Sequence, residues 1–264
     1  MIKKIIQSIL PKSIDKIYVK YRQANRDKKL AQAYQGNAVT CSVCGSTYSE
    51  FIPTGYITRK NALCLNCGSV ERHRLVFKYL KEKTDFFSKK GIKVLHFGPE
   101  KAFYDIFVNL KNIEEYVPCD FFPEVYDFCD VVKIVKVDIT AIPFPDNYFD
   151  VILCNHVLEH IENDSLAMQE CLRILKPSGW GIFQVPIDYN RDVTYEDFSI
   201  INPDERTIAF GQSDHVRWYG KDYKIRLSKA GFNVSADNFV NTFTPDEQFK
   251  FGFMPEEIIY LCKK

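Results

Sequence analysis

From Ile92 onward, short apolar runs alternate with stretches whose apolar residues recur at helical spacing. Lys93–Phe97, Glu115–Cys119, Ile134–Asp138, Phe149–Asn155 and Trp180–Val185 read as strands. Between them, Lys101–Asn109 and Asp164–Leu175 read as helices, the second closed by Lys176, Pro177 and Gly179. Tyr223–Ala230 should be a helix ended by Gly231, with Val234–Phe239 and Ile258–Leu261 as the last strands. Strands alternating with helices imply βαβ units and a mostly parallel sheet, an α/β fold. The polar stretch from Ile187 to Trp218 is longer than an ordinary connection, so it is expected to be a lid or partly disordered. Upstream, Ser69–Lys81 carries Leu75, Val76, Tyr79 and Leu80 on one helical face. Residues 1–35 read as one or two basic helices broken near Pro11.

Charge is uneven along the chain. The whole of its 264 residues carries a net +1, yet residues 1–30 hold nine Lys/Arg against two Asp. A basic arm on a mildly acidic body marks a contact with an acidic partner, and its apolar stripe suits the surface of an anionic membrane. Near-neutral overall charge argues against a protein that coats nucleic acid. No run of about 18 apolar residues exists, so no spanning helix is expected. The start does not fit a signal peptide, which makes the cytoplasm the expected compartment.

Nine cysteines in a reducing compartment direct attention to metal. Cys41-Ser-Val-Cys44-Gly45 and Cys64-Leu-Asn-Cys67-Gly68 are two Cys-x-x-Cys knuckles 19 residues apart. Four thiolates on two tight turns can surround Zn²⁺ tetrahedrally, and a closed four-ligand site is structural. An iron–sulfur cluster suits four thiolates too. Cys119, Cys129, Cys154, Cys171 and Cys262 stand singly in apolar surroundings and read as core residues. Glu71-Arg72-His73-Arg74, directly after the second knuckle, reads as a solvated helix start or a basic contact.

Cofactor chemistry concentrates at predicted strand ends. Val94-Leu95-His96-Phe97-Gly98-Pro99-Glu100 is an apolar strand ending in a glycine turn that opens a helix, where a parallel sheet binds its ligands. Asp120-Phe121 follows 22 residues after Gly98, a place from which a carboxylate binds ribose hydroxyls. Asp138-Ile139 and Asn155-His156 end the next two strands. The run from Val137 to Val185 contains Asp-Ile-Thr, Pro-Phe-x-Asp-x-x-Phe-Asp-Val-Ile, His-Val-Leu-Glu-His-Ile and Arg-Ile-Leu-Lys-Pro-x-Gly-Trp. In these motifs the chain resembles class I S-adenosylmethionine-dependent methyltransferases of type 11, over about Ile92 to Cys262. The resemblance implies a Rossmann-like seven-stranded sheet with an antiparallel last strand. It also implies S-adenosylmethionine as cofactor, with Gly98 beside its methionine part, Asp120 on ribose, Asp138 and Ile139 at adenine, and Asn155-His156 near the sulfonium. His96 stands where the family usually has an acid, and Glu100 where it has a second glycine; Glu100 could meet the cofactor's ammonium.

A sulfonium carries an activated methyl, so the protein's work is alignment and exclusion of water. His156, Glu159, His160 and His215 are the candidate bases, with His156 and His215 preferred as catalytic residues. Gly211 to Gly220 is dense in hydrogen-bonding and aromatic groups, and His215, Arg217 and Tyr219 are expected to touch the acceptor. The organisation expected is a basic helical arm at 1–36, a four-cysteine zinc module at 37–82 and a methyltransferase domain at 85–264. The acceptor is unidentified, with a small molecule or sugar favoured over nucleic acid. The alternatives are an RNA or protein methyltransferase docking through the zinc module, or an inactive methyltransferase-like interaction protein.

Overall fold

The computed structural model describes residues 28–55 and 57–264. Most of the expected basic arm, residues 1–27, lies outside the described residues; positions 28–33 are helical. The four-cysteine segment follows as two small hairpins, β1 (Val39–Thr40) with β2 (Thr47–Tyr48) and β3 (Ile52–Thr54) with β4 (Arg59–Leu63). Helix α1 (Glu71–Lys83) leads into the sheet.

Seven strands make that sheet: β5 (Ile92–Phe97), β6 (Ile113–Asp120), β7 (Val135–Lys136), β8 (Phe149–Asn155), β9 (Leu175–Gln184), β12 (Asn233–Asp237) and β13 (Ile259–Lys263). Their spatial order is β12-β13-β9-β8-β5-β6-β7. The neighbours from β9 to β7 run parallel, while β13 is antiparallel to both β9 and β12. This is the Rossmann-like sheet with a reversed last strand that the motifs imply. Strand order reverses at β5, with β6 on one side and β8 on the other, and such a point opens a crevice for ligands.

Apolar residues on successive positions bury both faces. Leu95 and Phe97 of β5 and Ile152 and Cys154 of β8 enter one cluster, with α3 (Asp164–Ile174) and α5 (Tyr223–Lys229). Ile92, Val94, Val151 and Leu153 enter the other, with α1 and α2 (Lys101–Phe107). Val39, Cys41, Val43, Phe51 and Cys64 belong to that second cluster, so the cysteine segment shares its core with the sheet.

Four expectations need correction. The Lys-Pro-Ser-Gly segment is not a turn before β9 but part of the strand. There the pairing jumps from Phe149↔Leu175 to Val151↔Trp180, and a side chain at Gly179 would meet the Asp150 carbonyl at 2.9 Å. The polar stretch 187–218 carries regular elements: β10 (Tyr195–Glu196), α4 (Pro203–Phe210) and β11 (Arg217–Trp218). Asn202 caps α4 through Asp204 N and Glu205 N, Pro203 occupies its first turn, and Gly211 ends it at φ +84°. Glu71 and Arg74 are buried rather than solvated. Cys129 is only partly buried, whereas Cys119, Cys154, Cys171 and Cys262 are core. The last helix, α6 (Pro245–Phe251), opens with a capping box from Thr244 and Glu247.

Candidate active site and cysteine knuckles

The two knuckles are built alike. Gly45 N donates to Cys41 O and Gly68 N to Cys64 O, each at 2.9 Å, and Cys41 N and Cys64 N bind Ser46 O and Ser69 O. Gly45 and Gly68 sit at φ +76° and +72°, a conformation other residues adopt only under strain. The four sulfurs lie within 4.8 Å of one another, with Cys41–Cys67 and Cys44–Cys64 both at 3.7 Å. Tetrahedral zinc with bonds near 2.3 Å holds its sulfurs about 3.8 Å apart. The hydroxyl of Ser69 lies 3.2 Å from Cys41 Sγ and Cys67 Sγ.

Arg74 of α1 is buried beside this cluster. Its guanidinium donates to the carbonyls of Phe251 (2.6 Å), Ala62 (2.7 Å), Gly252 (2.8 Å) and Ser69 (3.0 Å), and its carbon sits 3.9 Å above the Phe51 ring. It thereby ties the second knuckle to the end of α6. Burial lowers its proton affinity, and the charges of the cysteines and Glu71 oppose that.

At the tip of β5, Gly98 turns at φ +55° and donates its N–H to Cys119 O. A side chain there would stand 3.2 Å from Val157 and 3.9 Å from both Asp120 Oδ2 and the Tyr126 hydroxyl. Gly98 and Asp120 therefore face one narrow space from adjacent strands. Asp120 accepts from Phe122 N (2.8 Å) and Tyr126 Oη (2.6 Å). Phe121 is exposed beside it, with Lys136 Nζ 5.2 Å from its ring centre. Asp138 is exposed just beyond β7, bound to Thr140, with Ile139 buried.

Glu100 joins the two strands of the switch point. Its Oε2 accepts from His96 Nε2 at 2.8 Å and its Oε1 from Asn155 Nδ2 at 3.0 Å. His96 is buried, and the Tyr116 hydroxyl occupies its other nitrogen at 2.9 Å. His73 Nε2 approaches Glu100 Oε1 to 3.8 Å from α1. Burial pushes the Glu100 carboxyl up, but His96 and His73 outweigh it and hold it at about 2. Burial drives His73 down to about 3. Asn155 Oδ1 is buried without a hydrogen-bond partner.

On the other side of β8 a cavity of about 920 Å³ opens. His156, at φ +54°, lines it at the end of β8, and the next residue, Val157, stands 3.2 Å from the side-chain position of Gly98. Glu159, His160, His215, Trp218, Tyr189 and Glu257 line it, together with Arg59 and Arg72 from the cysteine segment. Glu159 and His160 lie on a 3-10 turn, Leu158–His160, and not on the following helix. His156 Nδ1 is 3.2 Å from Glu159 Oε1 but out of hydrogen-bond alignment. Burial pushes Glu159 up, while the neighbouring His156 prevails and lowers it; burial lowers His215. Glu257 is raised by burial.

Gly98, Asp120 and Asp138 are not among the walls of that cavity; they belong to the β5-β6-β7 half of the sheet edge. Of the three residues expected to touch the acceptor, His215 alone lines it. Arg217 and Tyr219 are fully buried, which corrects that expectation. Arg217 donates to the carbonyls of Leu158 (3.0 Å), Ile161 and Glu162 (2.8 Å) and to Glu196 Oε2 (2.8 Å), and Tyr219 donates to Asp164 Oδ2 (2.8 Å). Trp218 was within reach of the sequence argument, whereas Arg59, Tyr189 and Glu257 carried no local signal.

Residues 102–183 match the protein family described as methyltransferase domain. Over this segment the chain is similar to methyltransferase domains. Over 118 residues the chain is 28% identical to a sterol 24-C-methyltransferase of Yarrowia lipolytica, covering 43% of the chain and 29% of that protein. Over 99 residues it is 28% identical to a ubiquinone biosynthesis O-methyltransferase of Paraburkholderia phymatum, covering 37% of the chain and 41% of that protein. The chain thus spans less than half the length of these curated relatives. Among solved structures, one chain from the complex between the Haloferax volcanii Trm112 methyltransferase activator and a methyltransferase superposes with a TM-score of 0.50 at 18% identity. That match covers 73% of this chain and 90% of that one, and it concerns the fold. The family match contains the whole of β8 and nearly all of β9, so Asn155, His156, Glu159 and His160 fall inside it while Gly98, Glu100 and His215 fall outside.

Proposed function

We propose that the protein transfers a methyl group from S-adenosylmethionine to an acceptor held in the 920 Å³ cavity. One observation carries the reading: His156 lines the polar cavity, while its neighbour Val157 stands 3.2 Å from the side-chain position of Gly98, which Asp120 also faces. Asp120 would bind the ribose hydroxyls, exposed Phe121 would face the adenine, and Asp138 with Ile139 would close that end. Gly98 and Pro99 let the backbone approach the methionine part. Asn155 Oδ1, buried and unpartnered, is an acceptor awaiting a donor such as the cofactor's ammonium. Glu100 supplies the negative charge that His96 lacks at this strand tip. His156, in the cavity wall, would take a proton from the acceptor, with His215 as the second candidate.

A cavity of this size suits a small molecule or sugar rather than a polymer. The four cysteines would hold structural Zn²⁺, on the strength of sulfur spacings that suit a tetrahedral ion. In this reading 37–82 is the zinc module and 85–264 the methyltransferase domain, and Arg59 and Arg72 bring the module to the acceptor's wall. Calorimetry with S-adenosylmethionine and its demethylated product tests the proposal. Both should bind wild type, and Asp120→Ala should weaken both at least about tenfold, the worth of a charge-assisted hydrogen bond. Absence of binding by wild type to either compound overturns the reading.

A further inference from the structure

Glu159 is a buried carboxylate whose ion-pair partner, His156 Nδ1 at 3.2 Å from Oε1, lies out of hydrogen-bond alignment. It is 1% exposed, and neither oxygen has a hydrogen-bond partner. Leaving a buried carboxylate so costs free energy that a fold does not ordinarily give up without return. An atom of Glu159, one of His160 and one of His215 lie within 4.8 Å of one another at the cavity wall.

Each of the two imidazoles has a main-chain carbonyl beside its Nδ1. His215 Nδ1 is 3.2 Å from the Phe210 carbonyl and His160 Nδ1 is 3.2 Å from the Asp214 carbonyl. A carbonyl only accepts, so each ring keeps its proton on Nδ1 and its lone pair on Nε2. Fixing the tautomer through a second acceptor in this way is what orients histidines at metal centres. The segments are also stitched together: Val216 N donates to Glu159 O at 2.9 Å, and Arg217 grips the carbonyls of Leu158, Ile161 and Glu162 around the turn.

We infer that Glu159, His160 and His215 form a second metal site that takes a divalent first-row cation, separate from the four cysteines and open to the cavity. Two imidazoles and one carboxylate suit such ions and leave coordination positions free, whereas four thiolates form a closed set. The free positions face the space assigned above to the acceptor, so the ion would bind an acceptor oxygen. That last role rests on the methyl-transfer reading; the binding of the cation does not.

The test uses full-length protein with its cysteine-bound metal retained, treated with a mild chelator and titrated with Mn²⁺. The free-ion signal in electron paramagnetic resonance reports binding. Wild type should take up one Mn²⁺ per chain, and Glu159→Gln and His215→Asn should each weaken uptake at least tenfold. Glu256→Gln should leave uptake within about twofold, because exposed Glu256 lines the same cavity but is not one of the three ligands. Unchanged melting temperature and unchanged cysteine-bound metal identify variants that fold; should Glu159→Gln fail there, the half-buried His160→Asn replaces it. No stoichiometric uptake by wild type, or full uptake by a folded Glu159→Gln, overturns the inference. Calorimetry with S-adenosylmethionine on the same preparations reports separately on the methyl-transfer reading, so the two can fail independently.

Discussion

Glu100 sits where the strand-end turn brings three histidine- or amide-bearing elements together. Its carboxylate accepts from His96 and Asn155, so it fixes the β5 tip to the β8 tip across the switch point. Glu100→Gln adds an amide donor facing two donors, and it should cost about 2–3 kcal/mol in urea denaturation, the penalty for an unmade buried bond to a charged group. His73, packed beside it, is held neutral by burial, with its acidity near 3 against about 6.5 in the unfolded chain. Its contribution to stability is therefore complete above about pH 6.5 and is lost as pH falls toward 3. Between pH 6.5 and 4.5 the unfolded state alone gains this proton, which should cost the fold on the order of 2–3 kcal/mol. Glu100, lowered to about 2, adds its own loss only below about pH 4.5. Denaturation curves at pH 4.5 and 7 should differ less in His73→Gln than in wild type, and an equal difference in both would refute this account.

Among the elements, α1 is the one that joins the cysteine knuckles to the sheet. Its apolar face, with Leu75, Val76, Tyr79 and Leu80, was visible in the spacing of the sequence and does pack inward. Of the two readings of its first turn, a solvated start fails and a basic contact holds, because Glu71 and Arg74 face the knuckles and the end of α6 rather than water. Arg74 is the reason: four main-chain carbonyls within 3.0 Å surround its guanidinium. Arg74→Met keeps much of the volume over Phe51 and strips those carbonyls of their donor. It should lower stability by about 3 kcal/mol or more, measured by chemical denaturation, and should loosen the Zn²⁺ proposed for the four cysteines. Helix α4 makes the complementary point. Its cap, proline and terminal glycine were all legible as punctuation, yet the polar composition of 187–218 hid them.

At the scale of the molecule, knuckles and sheet share one apolar cluster, in which Val39, Phe51 and Cys64 join Val94 and Phe103. Loss of the Zn²⁺ proposed for the four cysteines should therefore propagate. Cys44→Ser, or a strong chelator, should lower the melting temperature of the whole protein in a single transition seen alike by far-ultraviolet dichroism and tryptophan fluorescence. Two separate transitions would show that the cysteine segment melts alone. Among the described residues, no helix is long and apolar enough to cross a membrane.

Periodicity by itself determined the strands and helices of the sheet, since burial on both faces imposes apolar residues at neighbouring positions. The matched spacing of Cys41, Cys44, Cys64 and Cys67 determined the two knuckles that bring four sulfurs together, because a tight turn sets the distance between its own sulfurs. Asp120, Asp138 and Asn155 could be placed at strand ends for the same local reason. Only the tertiary structure decided that Glu100 faces His96 and Asn155, that Arg217 and Tyr219 are buried braces, and that Glu159 and His160 meet His215 from more than fifty residues away. Those contacts depend on how separate elements cross in space, and a one-dimensional pattern of apolar and polar residues carries no record of the crossing.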